Sequence, residues 1–259
     1  MPDYLDVLAH DALRSVEEGY YETSMKIAAQ PVGFKEAIVE CKRAPIISEI
    51  KFASPSMGNL RDNRGLERIA KDMEEGGAVG ISVLTEPRHF GGHIGFVAKV
   101  RGQVEVPVLM KDIVLSPVQI EAASMIGANA VLLMQTLFER GYCENDVQGM
   151  IDLSHSRGLE VLLEAHTEDE FLSALETNAD MIGINNRDLK TLDVDLEVAK
   201  RILTKHRVER KVIVSESGID RPEDIRFLSQ YGVQAFLVGT AVMKAVDIKG
   251  KVRELVEAL

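Results

Sequence analysis

Two pairs of acidic and basic residues stand out among the residues that could do chemistry. Glu49 and Lys51 are two apart at the end of the apolar run 46–50, and Lys111 directly follows the run VPVLM. Glu164 follows the run EVLL in the same way. Carboxylates and ammonium groups beside apolar sequence are partly desolvated, which shifts their pKa values and suits proton transfer. The sequence therefore predicts acid–base chemistry carried by lysine and glutamate.

Eight short apolar runs must position these residues. Most are rich in leucine and β-branched residues and do not alternate with polar ones, which is typical of strands covered on both faces of a parallel sheet. The runs begin about 20–33 residues apart, the length of a strand-plus-helix unit. They cover residues 46–50, 79–84, 106–110, 130–134, 160–163, 181–184, 211–214 and 235–238.

The segments between the runs have the pattern of amphipathic helices. Residues 66–75 end at two glycines, residues 116–126 begin with a Ser-Pro start signal, and residues 167–170 form a capping-box sequence. Eight strands alternating with about eight helices favour a single (β/α)8 TIM barrel over 46–259, with a doubly wound sheet as the alternative.

The first 45 residues contain no predicted strand. Asp3–Glu18 and Ser24–Gln30 have helical patterns, and Gly33–Cys41 suits another turn or two. This segment is too short to form a core of its own. We expect an N-terminal helical extension on the barrel, so that residues 1–259 form one domain.

Composition excludes several classes of protein. The 259 residues carry 30 basic and 41 acidic side chains, a net charge of −11, which argues against a general nucleic-acid binder. The apolar runs are far shorter than the ~20 residues of a membrane span, and the N-terminus has no secretory signal pattern. Cys41 and Cys143 form neither a disulfide framework nor a zinc spacing. We expect a cytoplasmic protein with no metal, cofactor or membrane partner, as a monomer or a weak dimer.

A barrel would bring polar residues from several strands to one mouth, because catalytic groups collect at the C-terminal ends of its strands. The sixth run is followed by Asn185 and Arg187, and the seventh run leads into Glu216. Ser217-Gly218 and Gly239-Thr240 follow the seventh and eighth runs, where barrels often bind phosphate through backbone N–H groups. Lys51 and Ser54 add donors from the adjacent first strand. This group predicts a phosphorylated small-molecule substrate.

Each of these residues also has a non-functional interpretation. Lys111 alone would be a solvated charge at the rim, and Glu164 alone would be equally suited to helix capping. Asn185 suits a turn, and Gly218 and Gly239 suit simple strand-to-helix turns. Their predicted convergence on one mouth favours function.

Three histidines and one aspartate have weaker signals. His89, His93 and His166 lack the spacing of a metal site, and we expect neutral loop histidines. Asp112 is expected to orient a neighbouring group or to cap the next helix.

The segments at the predicted strand ends resemble a known family. They are EIKFASPS from Glu49, LTE from Leu84 with Phe90 and Gly92, LMKD from Leu109, EAH from Glu164, IGINNRDL from Ile182, SESGI from Ser215 and LVGT from Leu237. In this order, from about residue 3 to the C-terminus, they resemble indole-3-glycerol phosphate synthase. IGINNRDL together with ExKxxSPS and LMKD is highly specific, whereas SGI and GT occur in other phosphate-binding barrels.

The resemblance implies a lyase of tryptophan biosynthesis that needs no metal or organic cofactor. Its substrate would be 1-(2-carboxyphenylamino)-1-deoxyribulose 5-phosphate, which closes a ring and loses CO₂ and water. Lys111 would be the general acid of the condensation, and Glu164 the general base of the dehydration. Lys51 would bind substrate and protonate the departing hydroxyl, although the sequence leaves open which lysine serves which step. Glu49 would hold the lysines and the substrate hydroxyls in register.

The resemblance also implies binding roles. Asn185 and Glu216 would position the ring-forming intermediate, and Arg187 would order its loop and assist the substrate carboxylate. The phosphate would be received by Ser54, Ser217, Gly218, Gly239 and Thr240, and the aryl pocket would be lined by Phe90, Leu132, Leu189 and Leu237.

Two departures from the family pattern bear on binding. Ile113 stands where the family often has an aromatic residue, a loss of ring stacking of about 0.5–1.5 kcal/mol. Phe52 and Ala53 stand where basic residues are common, which weakens one contact to an anion. The alternatives are another phosphate-binding barrel enzyme, such as an isomerase or epimerase, and a barrel that has lost catalysis.

Overall fold

The barrel predicted from the apolar runs is present in the computed structural model, which describes residues 3–29, 32–54, 58–61, 63 and 65–259. Eight parallel strands close in the order β1-β4-β5-β6-β7-β8-β9-β10, with β10 pairing back onto β1. The doubly wound alternative is therefore wrong. The strands are β1 (Ile46–Ile50), β2 (Ala53–Ser54), β3 (Gly58–Asn59), β4 (Gly80–Leu84), β5 (Val108–Lys111), β6 (Ala130–Met134), β7 (Glu160–Ala165), β8 (Met181–Asn185), β9 (Val212–Glu216) and β10 (Ala235–Val238).

Helices follow the strands around the barrel, and β2 and β3 form a short antiparallel hairpin after β1. The helices are α1 (Tyr4–Glu17), α2 (Phe34–Glu40), α3 (Leu66–Glu75), α4 (Ile94–Arg101), α5 (Pro117–Met125), α6 (Gln135–Glu139), α7 (Val147–Ser156), α8 (Glu168–Leu175), α9 (Glu197–Lys205), α10 (Pro222–Ser229), α11 (Thr240–Lys244) and α12 (Ile248–Val256). Among the described residues, no helix combines the length and apolar character that a membrane crossing requires.

One predicted helix is wrong. The described residues of Ser24–Gln30 contain no helix, and Ile27 N–H donates to the carbonyl of Met125 at the end of α5 (2.9 Å). This segment links α1 and α2, which lie at opposite ends of the barrel. A helix rises only 1.5 Å per residue, less than half the reach of extended chain, so the extended segment covers more of the distance between the two ends than a helix of the same length would.

Helix α1 lies at the mouth of the barrel. Its buried face, Leu5, Leu8, Ala9 and Ala12, belongs to the same apolar cluster as the interior strand residues. Arg140, at the end of α6, holds the start of α1 through ion pairs with Asp3 and Asp6, both of 2.7 Å.

Helix α2 closes the opposite end of the barrel. Phe34 is buried against Gly80 at the start of β4, where even a Cβ would collide with its ring. Glu160, at the start of β7, accepts hydrogen bonds from the N–H groups of Phe34 and Lys35 and so caps α2. The predicted extension therefore covers both ends of the barrel.

Alternation along the strands delivers polar side chains to the mouth. Successive strand residues point to opposite faces, so the residue two positions after an inward apolar one also points inward. Ile47, Leu109, Leu162 and Val214 belong to the interior cluster. Two positions further along these four strands are Glu49, Lys111, Glu164 and Glu216, which therefore point inward at the mouth.

Candidate active site

A cavity of about 610 Å³ opens at the C-terminal ends of the barrel strands. It brings together all but one of the residues predicted from sequence. Its lining includes Glu49, Lys51, Phe90, Lys111, Leu132, Glu164, Asn185, Arg187, Leu189, Glu216, Ser217, Gly218, Leu237, Gly239 and Thr240. The remaining residue, Ser54, lies in β2, and its side chain is outside the described part of the structure.

The centre of the cavity is a lysine held between two carboxylates. Lys111 Nζ lies 3.1 Å from Glu164 Oε2 and 3.0 Å from Glu216 Oε2. Both glutamate side chains are only 2% exposed, and that of Lys111 is 17% exposed. The alternative of a solvated rim charge is therefore wrong for Lys111.

Burial and charge oppose each other in this group. Burial alone would lower the pKa of Lys111, but the charges of Glu164, Glu216 and Glu49 outweigh it and raise that pKa. For Glu164, the opposing effect of burial is outweighed by Lys111 and His166, which hold the pKa of this carboxyl well below its ordinary value. Burial raises the pKa of Glu216 to about 8, with Lys111 lowering it and Glu164 adding repulsion. Glu164 and Glu216 thus have very different pKa values, an arrangement found where two carboxylates have different proton-transfer roles.

A second ion pair lies at the end of β1. Lys51 Nζ is 2.7 Å from Glu49 Oε1, with the lysine side chain 16% exposed and the glutamate 4% exposed. Gly239, after β10, faces the Glu49 carboxylate so closely that a Cβ there would collide with it. The absence of a side chain at Gly239 therefore leaves room for Glu49.

Behind Glu164 lies a histidine whose surroundings the sequence did not indicate. His166 is buried between two carboxylates rather than exposed in a loop: its Nε2 is 3.1 Å from Glu164 Oε1, and its Nδ1 is 3.6 Å from Glu170 Oε2. Burial disfavours its charge, but Glu164 and Glu170 outweigh burial and raise the pKa of His166 to about 9. His166 precedes Thr167, the N-cap of α8, and Glu170 lies in the first turn of that helix, so the contact forms at the N-terminal end of α8.

The capping box predicted for α8 forms only in part. The Thr167 side chain accepts the Glu170 N–H (3.2 Å), but the Glu170 carboxylate accepts the N–H of His166 (2.7 Å) rather than that of Thr167. The other two histidines, His89 and His93, lie in a loop as expected. This loop precedes α4, where His93 accepts the Gly95 N–H as the helix cap.

Asp112 ties the N-terminal segment to the mouth. Its carboxylate accepts hydrogen bonds from Tyr21 Oη (3.0 Å), Thr85 Oγ1 and the N–H of Ile113 (2.8 Å). Burial raises the pKa of Asp112 to about 6, against the effect of these donors. Asp112 thus orients neighbours, whereas the capping alternative is wrong because Ser116 caps α5.

Side-chain hydrogen bonds stabilise the loop after β8. Asn185 Oδ1 accepts the N–H of Arg187 (3.1 Å), and Arg187 Nη1 donates to the carbonyl of Leu192 (2.6 Å). Asn186 is buried, and its amide donates to Ser215 Oγ and to the carbonyl of Glu216, both at 2.9 Å. The Asn185 side chain therefore forms a turn, as its residue type suggested, whereas the Asn186 side chain joins the ends of β8 and β9.

The turn after β9 has an unusual backbone. Ser217 and Gly218 have successive positive φ angles of 66° and 82°. Left-handed backbone is costly for a residue with a side chain, so it marks a constrained turn. A Cβ at Gly218 would collide with Val194.

One wall of the cavity is apolar and includes residues that the sequence interpretation missed. Tyr4 and Leu8 of α1 line it together with the predicted Phe90, Leu132 and Leu189. The spacing of Tyr4 and Leu8 put them on one helical face, but nothing in the sequence placed that face over the mouth. Leu84, Ile113 and Met134 also line the cavity.

Comparison with known proteins identifies a family. The family described as "Indole-3-glycerol phosphate synthase" matches residues 6–255. A protein of that name from Caldanaerobacter subterraneus subsp. tengcongensis is 42% identical over 224 residues, covering 86% of this chain and 84% of its own. One from Lachnospira eligens is 36% identical over 253 residues, covering 93% and 92%.

Two solved structures share the fold at low sequence identity. A thiamine phosphate pyrophosphorylase from Pyrococcus furiosus has a TM-score of 0.61 at 18% identity, covering 85% of this chain and 96% of its own. An N-acetylmannosamine-6-phosphate 2-epimerase from Clostridium perfringens has a TM-score of 0.62 at 14% identity, covering 83% and 93%. These likenesses concern the barrel alone. The match over nearly the whole length and the identities near 40% show that this chain belongs to the indole-3-glycerol phosphate synthase family.

Proposed function

We propose that this cavity converts 1-(2-carboxyphenylamino)-1-deoxyribulose 5-phosphate to indole-3-glycerol phosphate, the carboxy-lyase reaction of its family. The observation that carries the proposal is Lys111 held between two buried carboxylates, at 3.1 and 3.0 Å. Ring closure and dehydration together require an acid at a carbonyl oxygen and a base at a neighbouring position. Lys111 would supply the acid and Glu164 the base, and the two side chains are in direct contact.

In the first step, the aryl carbon that carries the carboxylate attacks the ketone carbon of the sugar chain. The ketone oxygen gains negative charge, which the Lys111 ammonium stabilises by donating a proton to it. Loss of CO₂ from the aryl carbon that formed the new bond then restores aromaticity and leaves a hydroxyl on the new ring. The low exposure of Lys111 strengthens this interaction, because charges interact more strongly where water is excluded.

In the second step, the hydroxyl leaves as water. We assign the proton for this departure to Lys51, which Glu49 holds at 2.7 Å on the neighbouring part of the rim. Glu164 takes the proton from the adjacent carbon, and its low pKa means that it enters the step as a carboxylate. Glu216 and Asn185 hold the ring during both steps.

The remaining lining suits the two ends of the substrate. Ser217, Gly218, Gly239 and Thr240 lie together on the rim beside Lys51, and we assign the phosphate to this group. The apolar wall takes the aryl ring, with α1 closing over it. Ile113 contributes an aliphatic surface to this wall in place of a stacking ring.

The test is the fluorescence of indole-3-glycerol phosphate formed from the carboxyphenylamino substrate. We expect wild-type turnover, and losses of about 10²–10⁴-fold in kcat for Lys111→Ala and Glu164→Gln. His155→Gln is the control, since His155 pairs with Asp180 at 2.9 Å on the outer helix α7. An inactive wild type would refute the proposal, and an active Lys111→Ala would refute the assignment of the acid.

We further expect a cytoplasmic enzyme that works without a metal or organic cofactor, as a monomer or a weak dimer and as one domain over 1–259. The packing of α1 and α2 onto the two ends of the barrel supports the single domain. Activity after exhaustive chelation tests the cofactor expectation. Sedimentation across a range of concentrations tests the oligomeric state.

A further inference from the structure

The carboxylate of Glu164 lies between a lysine and a histidine. Its Oε2 is 3.1 Å from Lys111 Nζ on the side of the cavity, and its Oε1 is 3.1 Å from His166 Nε2 on the opposite side. The His166 side chain is only 6% exposed. His166 lines a separate groove between α8 and the loop after β8, so it lies behind Glu164 and not among the groups around the substrate cavity.

Charged and polar groups from several elements face His166. Glu164 lies on β7 and Glu170 on α8, with Glu170 Oε2 3.6 Å from Nδ1 and also accepting the backbone N–H of His166. Thr136 of α6 places its Oγ1 3.5 Å from Nδ1. Asp188, in the loop after β8, also interacts with the charge of His166. Carboxylates therefore surround this imidazole on more than one side.

We propose that His166 is a positioning residue, an imidazolium that Glu170 holds in place so that it fixes the side-chain conformation of Glu164 and keeps Glu164 ionised. The proposal rests on the proposed function, because it assigns Glu164 the role of base. When Lys111 turns to the substrate oxygen, Glu164 Oε2 becomes free to accept a proton. Oε1 keeps its 3.1 Å ion-pair contact with His166, so the base does not rotate away from the substrate.

The physical reason is that a glutamate side chain has three rotatable bonds and needs support beyond its backbone. A base must lie within about 2.6–3.2 Å of the proton it takes, and small displacements of a reacting group cost rate. An imidazolium in a buried site also stabilises the carboxylate over the carboxylic acid. Loss of His166 should therefore affect the chemical step more than substrate binding.

The first test compares His166→Gln with Glu170→Gln and with the matched control His155→Gln. His166→Gln keeps a neutral donor and removes the charge, whereas His155→Gln makes the same change in an ion pair on the outer surface. We expect His166→Gln to lower kcat about tenfold, the effect of ~1.4 kcal/mol, with KM within about twofold. Because Glu164 loses the imidazolium beside it, its pKa rises, and the acidic limb of kcat/KM should move to higher pH. Glu170→Gln should show the same pattern to a smaller extent, and His155→Gln should show neither effect.

The second test needs no turnover. Histidine ring nitrogen resonances of the wild type should show His166 charged at neutral pH, and Glu164→Gln should lower its pKa because the coupling between the two groups is reciprocal. A neutral His166 would overturn the proposal, as would a His166→Gln variant with unchanged kcat and acidic limb. If the wild type forms no indole-3-glycerol phosphate, the proposed function fails, while the resonances still decide whether His166 is charged against Glu164.

Discussion

Replacing Lys111 by methionine should destabilise the fold in a way that depends on pH. Methionine keeps the length and apolar stem of lysine but removes the ammonium between Glu164 and Glu216. At about 3 Å and an effective dielectric constant of about 20, each contact is worth roughly 5 kcal/mol of attraction. Desolvation of the ammonium offsets much of this, and removal of one partner from a buried ion pair costs about 3–5 kcal/mol in practice.

The direction of the pH dependence follows from which state holds more protons. In the wild type, Lys111 helps to hold the pKa of Glu164 below its ordinary value of 4.5, so this carboxylate stabilises the fold above that pH. In the variant, Glu164 and Glu216 both lose the cation that favours their ionised forms, so the pKa of Glu164 rises and that of Glu216, already raised to about 8, rises further. The folded variant therefore holds more protons than the folded wild type. The stability of Lys111→Met relative to the wild type should therefore fall as the pH rises from about 5 to about 8. The full 3–5 kcal/mol loss should appear only near the upper end of this range, with about half of it or less at the lower end.

The measurement is the free energy of unfolding from urea denaturation at both pH values. Lys205→Met is the matched control, since Lys205 lies 2.6 Å from Glu168 but the two side chains are 60% and 36% exposed. Exposed ion pairs are worth about 0–1 kcal/mol, so the control should lose no more than about 1 kcal/mol of unfolding free energy at either pH. A loss for Lys111→Met that is equal at both pH values, or no larger than that of the control, would refute the reasoning.

Three further predictions concern the turn after β9, His166 and Phe34 of α2, the helix that closes the end of the barrel opposite the mouth. Gly218→Ala should raise KM because its Cβ collides with Val194, whereas Gly158→Ala, at a similar φ of 74° with open space around it, should leave KM unchanged; equal KM values in steady-state kinetics would contradict this. The pKa of His166 is raised to about 9 from 6.5, so the stability it contributes is complete below about pH 6.5 and is lost as the pH rises through 9, on the order of 3 kcal/mol. Urea unfolding of the wild type should show this decline and that of His166→Gln should not; parallel curves would contradict it. Phe34→Ala should cost about 3–5 kcal/mol of stability while leaving kcat within about twofold, because Phe34 lies at the end of the barrel remote from the mouth, and a large fall in kcat of the folded variant would show the assumption of remoteness to be wrong.

The positions of the polar residues could be predicted because each follows a strand whose apolar sequence identified it. Lys111 and Glu164 come directly at the ends of VPVLM and EVLL, and a barrel sends such residues to one mouth. The state of His166 could not be predicted in this way. Its charge depends on Glu164 and Glu170 lying on either side of a buried ring, which follows only from the packing of α8 against β7.

The place of the N-terminal segment shows a similar limit. Periodicity predicted a helix over Asp3–Glu18, and α1 spans Tyr4–Glu17. The same reasoning failed for the described residues of 24–30, because local helical preference is weak and tertiary packing overrides it. Nothing in the pattern of α1 indicated that Tyr4 and Leu8 would close one wall of the cavity.

The sequence by itself determined the barrel, the family and the chemical types of the residues at the mouth. These depend on short apolar runs, their spacing and the motifs that follow them, all of which are local along the chain. Only the tertiary structure decided which groups contact one another. Lys111 and Glu216 are 105 residues apart and meet at 3.0 Å because the barrel closes with one particular register. Contacts of this kind, including those of the lysine and the histidine on either side of Glu164, arise from strand pairing and helix packing and have no counterpart in the order of residues.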